Sequence, residues 1–206
     1  MVPEVDPSAE PSVVTRSARR PGVTRARMVD SAAVLLGGRG VAGVTVDAVL
    51  AHSGAPRGSV YHHFPGGRDE VLLAGLEQAG EVITARLDQA LAERDPHAAV
   101  ASFVRFWKRL LIGSDFRAGC AVVAVVVDSR PDVPEAIDDA RAIFDRWHRA
   151  LTAALVSDGF AASRADRLAT MMVAAVEGAI VLCRAQGEVA PLDAVAAEID
   201  LLLDAR

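Results

Sequence analysis

The stretch Gly54–Gly66 reads GAPRGSVYHHFPG, and it decides how the first third of the chain is interpreted. It places one Arg, one Ser, one Tyr and two adjacent His residues around a central Gly, and it contains no acidic residue. Such a stretch offers hydrogen-bond donors, an aromatic ring and room for a close backbone approach within about two helical turns. Three kinds of partner would need these groups together: a metal ion, the substrate of a catalytic base, or a phosphate-rich polymer.

A metal site in this stretch is disfavoured by the spacing of its His residues. His62 and His63 are adjacent, so on a helix they point about 100° apart, whereas chelating pairs stand four residues apart. A triad of Ser59, one of these His residues and Asp69 would lack a nucleophile elbow and an oxyanion hole. We therefore expect no metal ion, no cofactor and no enzymatic activity.

The flanking residues predict three short helices. Thr24 is expected to cap the first, with apolar positions at 29, 32, 33 and 36 and a stop at Gly37, Gly38 and Gly40. Thr45 is expected to cap the second, which stops at Ser53–Gly54, and Pro56 suits the first turn of the third. Two helices joined by a Ser-Gly turn form the outline of a helix-turn-helix.

The charge of the chain is distributed unevenly, which favours a polyanionic partner. The net charge is −5, but residues 16–68 carry eight Arg and only two Asp. A basic segment on an acidic body indicates that one part meets a polyanion and the rest does not. A recognition helix in the DNA major groove needs Arg for guanine edges or phosphates, and the absence of acids from 54–66 avoids phosphate repulsion.

The rest of the chain predicts further helices. One starts near Gly67 and breaks at Pro96, and others cover 97–112, 133–157, 163–185 and 191 to the C-terminus. The β-branched run Cys120–Ser129 would suit a strand, but it has no second strand to pair with, so we expect a short buried helix.

The predicted class is therefore all-α. Its parts are a flexible tail at 1–22, a helix-turn-helix domain at 23–68 and a helical effector-binding and dimerisation domain at 69–206. The tail carries Arg16, Arg19 and Arg20. It is either a solvated leader with no role or a basic arm that contacts DNA phosphates.

The run TVDAVLAHSGAPRGSVYHHF, followed by PGGRDEVL, resembles the DNA-binding domain of TetR-family transcriptional regulators, in particular the LmrA/YxaF-like branch. The resemblance covers about residues 23–73, with a Gly-Cys-Ala element at Gly119–Ala121 beyond it. It implies phosphate contacts from one set of residues and base-edge or backbone contacts from another. The first set is Thr24, Arg25, Thr45 and Arg68, and the second is Arg57, Gly58, Ser59, Tyr61, His62 and His63. Pro56 departs from the Ser or Thr of many relatives, and Arg68 replaces the commoner Lys.

Relatives of this kind use the helical body to dimerise and to bind a small molecule. Helical spacing predicts a dimer seam at Leu168, Met172, Ala175, Gly178, Ala179, Leu182, Val195, Ile199 and Leu202, although these stripes could also face the chain's own core. Candidate ligand-binding residues are Phe103, Phe106, Trp107, Cys120, Phe144, Trp147, His148 and Met171, with core as the alternative for each.

The hydropathy and the thiols of the chain indicate where the protein works. No apolar run reaches the roughly 18 residues that a membrane helix needs, so we expect no membrane partner. Cys120 and Cys183 are far apart and lack metal-ligand spacing, so we expect two reduced buried thiols in a cytoplasmic protein. The sequence as a whole predicts a homodimeric repressor of a palindromic operator, released by a small apolar effector. One alternative is a regulator controlled by a partner or by thiol oxidation, and another is a helical enzyme that acts on a nucleotide.

Overall fold

A computed structural model describes residues 21–128 and 133–205, which form helices joined by short loops. The helices are α1 (Pro21–Arg39), α2 (Val46–Ser53), α3 (Ser59–His63), α4 (Arg68–Leu91), α5 (Pro96–Gly113), α6 (Ala121–Val127), α7 (Pro134–Ser157), α8 (Ala162–Gln186) and α9 (Ala190–Asp204), with a 3₁₀ turn at Val41–Gly43. The predicted all-α class is confirmed. The prediction for the tail, with Arg16, Arg19 and Arg20, lies outside the described residues apart from its last two positions.

The first three helices pack on the start of α4 around a small apolar core. Met28, Leu36, Val49, Phe64 and Leu72 are completely buried there. The predicted cap of α2 is confirmed, because the Oγ1 of its N-cap Thr accepts a hydrogen bond from a backbone N–H at 3.1 Å. The Gly that ends α2 has a φ of 62°, a left-handed conformation that Gly adopts without strain.

Three predicted helix bounds are wrong. The first helix begins at Pro21, so Thr24 lies inside it instead of capping it, and its side chain is buried. Its C-terminus lies at Arg39 because Gly37 and Gly38 continue the helix. Pro56 lies in the turn before α3, which begins only at Ser59.

The body consists of α4 to α9, with α4 as the shared element. Helix α4 packs on α1 and also on α5, α6 and α7, while α8 lies between α7 and α9. The predicted helix within Cys120–Ser129 is confirmed as α6. Its buried Val122 and Val125 fill the space where α6 meets α1, α4 and α7, so tertiary packing outweighs strand propensity here.

The end of α1 meets the body at a close backbone contact. A Cβ on Gly37 would overlap the carbonyl oxygen of Gly119, which explains why Gly stands inside α1. Arg184 of α8 donates to the carbonyl oxygens of Gly37 at 3.5 Å and Gly38 at 3.1 Å. Since carbonyls in the last turn of a helix lack intrahelical partners, this Arg caps α1 and joins it to α8.

Candidate nucleic-acid interface and effector cavity

The outer side of α3 and of the turn before it is exposed and rich in hydrogen-bonding groups. Tyr61 is 64% exposed, His62 is also exposed, and Arg57 makes no hydrogen bond or ion pair with any described residue. Gly58 has a φ of 85°, and a Cβ built there would meet open space. On the opposite side Val60 is completely buried. The helix is therefore fixed by its apolar side and offers Arg, Tyr and His groups to a partner.

The neighbouring predicted residues lie around this surface in different ways. Arg25 is exposed, with its guanidinium 4.9 Å from the centre of the Phe64 ring at the end of α3. Ser59 donates its hydroxyl to the Pro56 carbonyl at 2.6 Å, which steadies the turn. His63 is half-buried, with its ring edge-on to that of the preceding His.

Two threonines also belong to the set of predicted DNA contacts. Thr24 is only 8% exposed, which disfavours the phosphate contact predicted from it, whereas its neighbour Arg25 is exposed. Thr45 is exposed at the start of α2 and uses its hydroxyl oxygen to cap that helix.

Arg68 is held by hydrogen bonds within the protein, at a position where a phosphate contact is predicted. Its Nε donates to the Val44 carbonyl and its Nη2 to the Val41 carbonyl, both at 2.9 Å. Its Nη1 lies 3.3 Å from the Asp69 carboxylate. The guanidinium thus fixes the 3₁₀ turn that leads into α2, and we propose this structural role in place of the predicted phosphate contact.

Two polar ties that sequence reasoning missed hold α2 against α1. The Nη2 of Arg27 donates to the Ser53 carbonyl at the end of α2. The Nδ1 of His52 lies 2.9 Å from the Oγ of Ser31, which itself donates to the Arg27 carbonyl at 2.7 Å. These bonds fix α2, and with it the start of α3, relative to α1.

A cavity of about 520 Å³ lies between α4, α5, α7, α8 and α9, a volume that suits a drug-sized ligand. Its walls include Ile83, Leu87, Leu91, Val100, Phe103, Trp147, Leu151, Met172, Val176, Glu177, Ile199 and Leu203. Helix α4 begins at Arg68, and Ile83 lies roughly 22 Å further along it at the usual helical rise. The cavity is therefore well separated from the end of α4 that lies beside the first three helices.

Only two of the eight residues predicted to bind a ligand line this cavity, Phe103 and Trp147. The indole N–H of Trp147 donates to the Thr84 hydroxyl at 2.9 Å, and Phe144 packs edge-on against the indole ring. Trp107, with its neighbour Phe106, belongs to the core instead.

The last three predicted ligand residues also lie off the cavity wall. His148 is tied to α8 by the Thr170 hydroxyl and the Asp166 carbonyl, each 3.1 Å away. Met171 packs against the core, and Cys120 is buried. The sequence shows that these side chains are apolar or aromatic, but the fold decides which of them face empty space.

Glu177 is the functional candidate that sequence reasoning missed. It lines the cavity from the middle of α8, and burial raises the pKa of its carboxyl to about 7. The Cys120 thiol forms a hydrogen bond with it. Burial and this carboxylate raise the pKa of the thiol well above its usual value, so the thiol stays protonated. The sequence carries one signal that points to Glu177, because this residue is the single charged one within the run Leu168–Cys183.

The residues of the predicted dimer seam lie in different environments. Leu168, Ala179 and Ile199 are buried in the chain's own core, which corrects their assignment to the seam. Met172 lines the cavity, and Ala175 and Val195 are half-buried.

The exposed residues of the predicted seam lie on both α8 and α9. Gly178, Leu182 and Leu202 are exposed, and so are their neighbours Val181 and Leu201. Among the described helices α8 alone is long and apolar enough to cross a membrane by length and composition. Since it packs between α7 and α9, its composition fits a helix with apolar contacts on more than one side.

Comparisons with known proteins agree with this architecture. Residues 28–74 match the family model of bacterial regulatory proteins of the tetR family, and residues 96–198 match the C-terminal domain of LmrA/YxaF-like transcriptional regulators. An uncharacterised helix-turn-helix transcriptional regulator of Mycobacterium tuberculosis is 38% identical over 184 residues, which cover 87% of this chain and 93% of the relative. The regulator LmrA of Bacillus subtilis is 24% identical over 162 residues, covering 78% and 86%.

Solved structures share the fold. The TetR regulatory protein of Rhodobacter sphaeroides superposes with a TM-score of 0.76 at 21% identity, covering 86% of this chain and 97% of that one. Reduced NemR of Escherichia coli gives 0.67 at 20% identity, covering 85% and 95%. The relatives are transcriptional regulators, so the alternative prediction of an enzyme that acts on a nucleotide is wrong. The chain therefore belongs to the TetR family of DNA-binding transcriptional regulators, in its LmrA/YxaF-like group.

Proposed function

We propose that this regulator is a cytoplasmic repressor that binds a palindromic operator as a homodimer and leaves it when a small apolar effector binds. One observation carries the proposal: α4 begins beside the helix-turn-helix and, from Ile83 onward, lines the cavity of about 520 Å³. A ligand that moves α4 within the body therefore also moves the part of α4 on which the DNA-binding helices pack.

DNA reading is assigned to the exposed side of α3 and its turn. Arg57 is free to make a bidentate contact with a guanine edge, and Gly58 lets the backbone approach the duplex. Tyr61 and His62 offer contacts to phosphates or bases, while Arg25 offers a phosphate contact at the edge of the same surface.

Dimerisation supplies the second recognition helix. Two half-sites on one face of B-DNA lie about 34–36 Å apart, so a single chain reads only one of them. The exposed apolar surface around Val181, Leu182 and Leu201 on α8 and α9 supports a two-fold bundle of four helices.

Release of DNA requires an effector that binds the DNA-free conformation more tightly than the DNA-bound one. Two connections run from the cavity to the DNA-binding helices. One is α4 itself, and the other is α8, which contributes Glu177 to the cavity and Arg184 to the cap of α1.

Control by thiol oxidation finds no support. Cys120 and Cys183 are both buried, and burial raises the pKa of both thiols, which disfavours the reactive thiolate.

The test couples ligand binding to transcription in vitro from the promoter that precedes the regulator's own gene. Compounds are first selected by their effect on tryptophan emission, because Trp147 lines the cavity. The protein alone should lower transcript yield, and a selected compound should restore it over the concentration range in which emission changes. By reciprocity, operator DNA should weaken binding of that compound by the factor by which the compound weakens DNA binding. A compound that binds with unchanged affinity in the presence of operator would refute the effector mechanism.

A further inference from the structure

The charged groups around the cavity are unevenly placed. The walls are apolar except for Ser157 and four charged residues, Arg94, Asp95, Asp158 and Glu177. The first three of these four lie in the α4–α5 loop and just after α7, and the carboxylate of Asp95 caps α5 by accepting from two backbone N–H groups at 3.0 and 3.3 Å. Glu177 stands apart from them, in the middle of α8.

The carboxylate of Glu177 lacks a cationic partner among the described residues, and its hydrogen bond comes from the weak thiol donor of Cys120. A carboxylate removed from water is costly unless a strong donor or a positive charge compensates it. Burial raises the pKa of this carboxyl to about 7, in keeping with a carboxylate that has no positive charge beside it. A positively charged ligand would supply the missing partner.

We propose that the cavity takes an apolar ligand carrying one protonated amine, which pairs with Glu177 while the apolar part lies against Phe103 and Trp147. Aromatic walls also favour a cation over an anion. Three carboxyl groups and one guanidinium line the cavity. This excess of negative charge disfavours an acidic ligand. This inference rests on the proposed function, because it assigns a ligand class to the proposed effector cavity.

The test compares three probes that share a phenyl ring on a four-carbon chain and differ at the end of that chain: 4-phenylbutylamine, 4-phenylbutan-1-ol and 4-phenylbutanoate. Isothermal titration calorimetry at pH 7.5 should show the amine binding at least about tenfold more tightly than the alcohol, with the carboxylate weakest. Glu177→Gln should bring the amine to the level of the alcohol and leave alcohol binding unchanged. Glu135→Gln removes the same charge from an exposed position at the start of α7 and should keep the wild-type order.

A second readout distinguishes charge pairing from a change in cavity shape. Near pH 7 the carboxyl of Glu177 is partly protonated, so pairing with an ammonium group should release roughly half a proton, measured in buffers of different ionisation enthalpy. The other titratable groups facing it or lining the same cavity are Cys120, Arg94, Asp95 and Asp158, all of which remain in Glu177→Gln. That variant should release no proton.

The inference is overturned if the wild type binds the alcohol as tightly as the amine, if it fails to bind the amine, or if Glu177→Gln keeps the preference. Operator anisotropy with the same probes tests the proposed function separately. Glu177-dependent amine binding without release of operator would support the ligand class and refute the effector role of the cavity.

Discussion

Arg57→Ala and Arg68→Ala should fail in different ways, although both remove one positive charge near the predicted DNA surface. Arg68 bonds two backbone carbonyls and is 30% exposed. Hydrogen bonds from charged groups are worth about 1.5–3 kcal/mol each when buried, so partial exposure brings the expected loss to about 2–4 kcal/mol. For a chain of this size the melting temperature should fall by about 5–12 °C. Arg57 has no partner within the described residues, so its removal should change stability by less than about 0.5 kcal/mol.

In DNA binding the order should be reversed, with the larger effect from Arg57→Ala, the variant that changes stability less. At 15 °C, where both are folded, Arg57→Ala should lose about 1–3 kcal/mol of operator affinity and relax specificity at one base pair per half-site. Arg68→Ala should leave the slope of log K against log salt nearly unchanged, because it removes no phosphate contact. Thermal melting by circular dichroism and anisotropy at several salt concentrations measure both effects. If Arg68→Ala melts like the wild type and lowers the salt slope by about one, Arg68 contacts a phosphate and our structural assignment is wrong.

Four further experiments test the body of the protein and its contact with α1. Gly178→Glu puts a charge on the exposed apolar surface of α8 and should reduce both dimerisation, measured by light scattering, and operator binding. An effector should change the emission of Trp107→Phe as in the wild type but not that of Trp147→Phe, since only Trp147 lines the cavity. Gly37→Ala, which in an open helix would be stabilising, should cost about 1–3 kcal/mol in chemical unfolding because the new methyl group meets backbone. The carboxyl of Glu177 has a folded pKa raised from 4.5 to about 7, so wild-type stability relative to Glu177→Gln should fall by about 2–4 kcal/mol as pH rises through that window.

Matched controls separate these effects from general damage. Val82→Glu changes a side chain that is 44% exposed on α4 and should leave the dimer intact. Gly113 is the last residue of α5, and a Cβ built there would meet open space. The substitution Gly113→Ala should therefore not be destabilising. A dimeric Gly178→Glu with unchanged operator affinity would move the interface elsewhere, and a pH dependence identical in wild type and Glu177→Gln would mean that this carboxyl titrates normally.

Local sequence signals predicted the fold well because they act over a few residues. The Thr45 cap, the Gly54 stop and the breaks at Pro96 follow from backbone chemistry that needs no tertiary contact. The α6 helix was predicted from the absence of a pairing strand, since its own side chains favour the other structure.

The sites were harder to predict because they depend on which distant residues meet. Arg68 looks like any basic residue near DNA until the carbonyls of the 3₁₀ turn are placed beside it. Gly37 looks like a helix stop until the Gly119 backbone lies against it. Likewise an apolar stripe on α8 does not show which of its sides faces core, cavity or solvent, and this is why Leu168 and Ala179 were assigned to the dimer seam.

The most direct test of the central claim is an anisotropy titration of the DNA that precedes the regulator's own gene, from 50 to 200 mM salt, beside a scrambled duplex of equal length. A regulator that reads DNA through the α3 surface should bind its own sequence at least about a thousandfold more tightly than the scrambled one at physiological salt. Both affinities should fall steeply with salt, and Arg57→Ala should narrow the ratio between them. Equal binding of the two duplexes by wild type and Arg57→Ala would contradict the assignment of DNA reading to this surface.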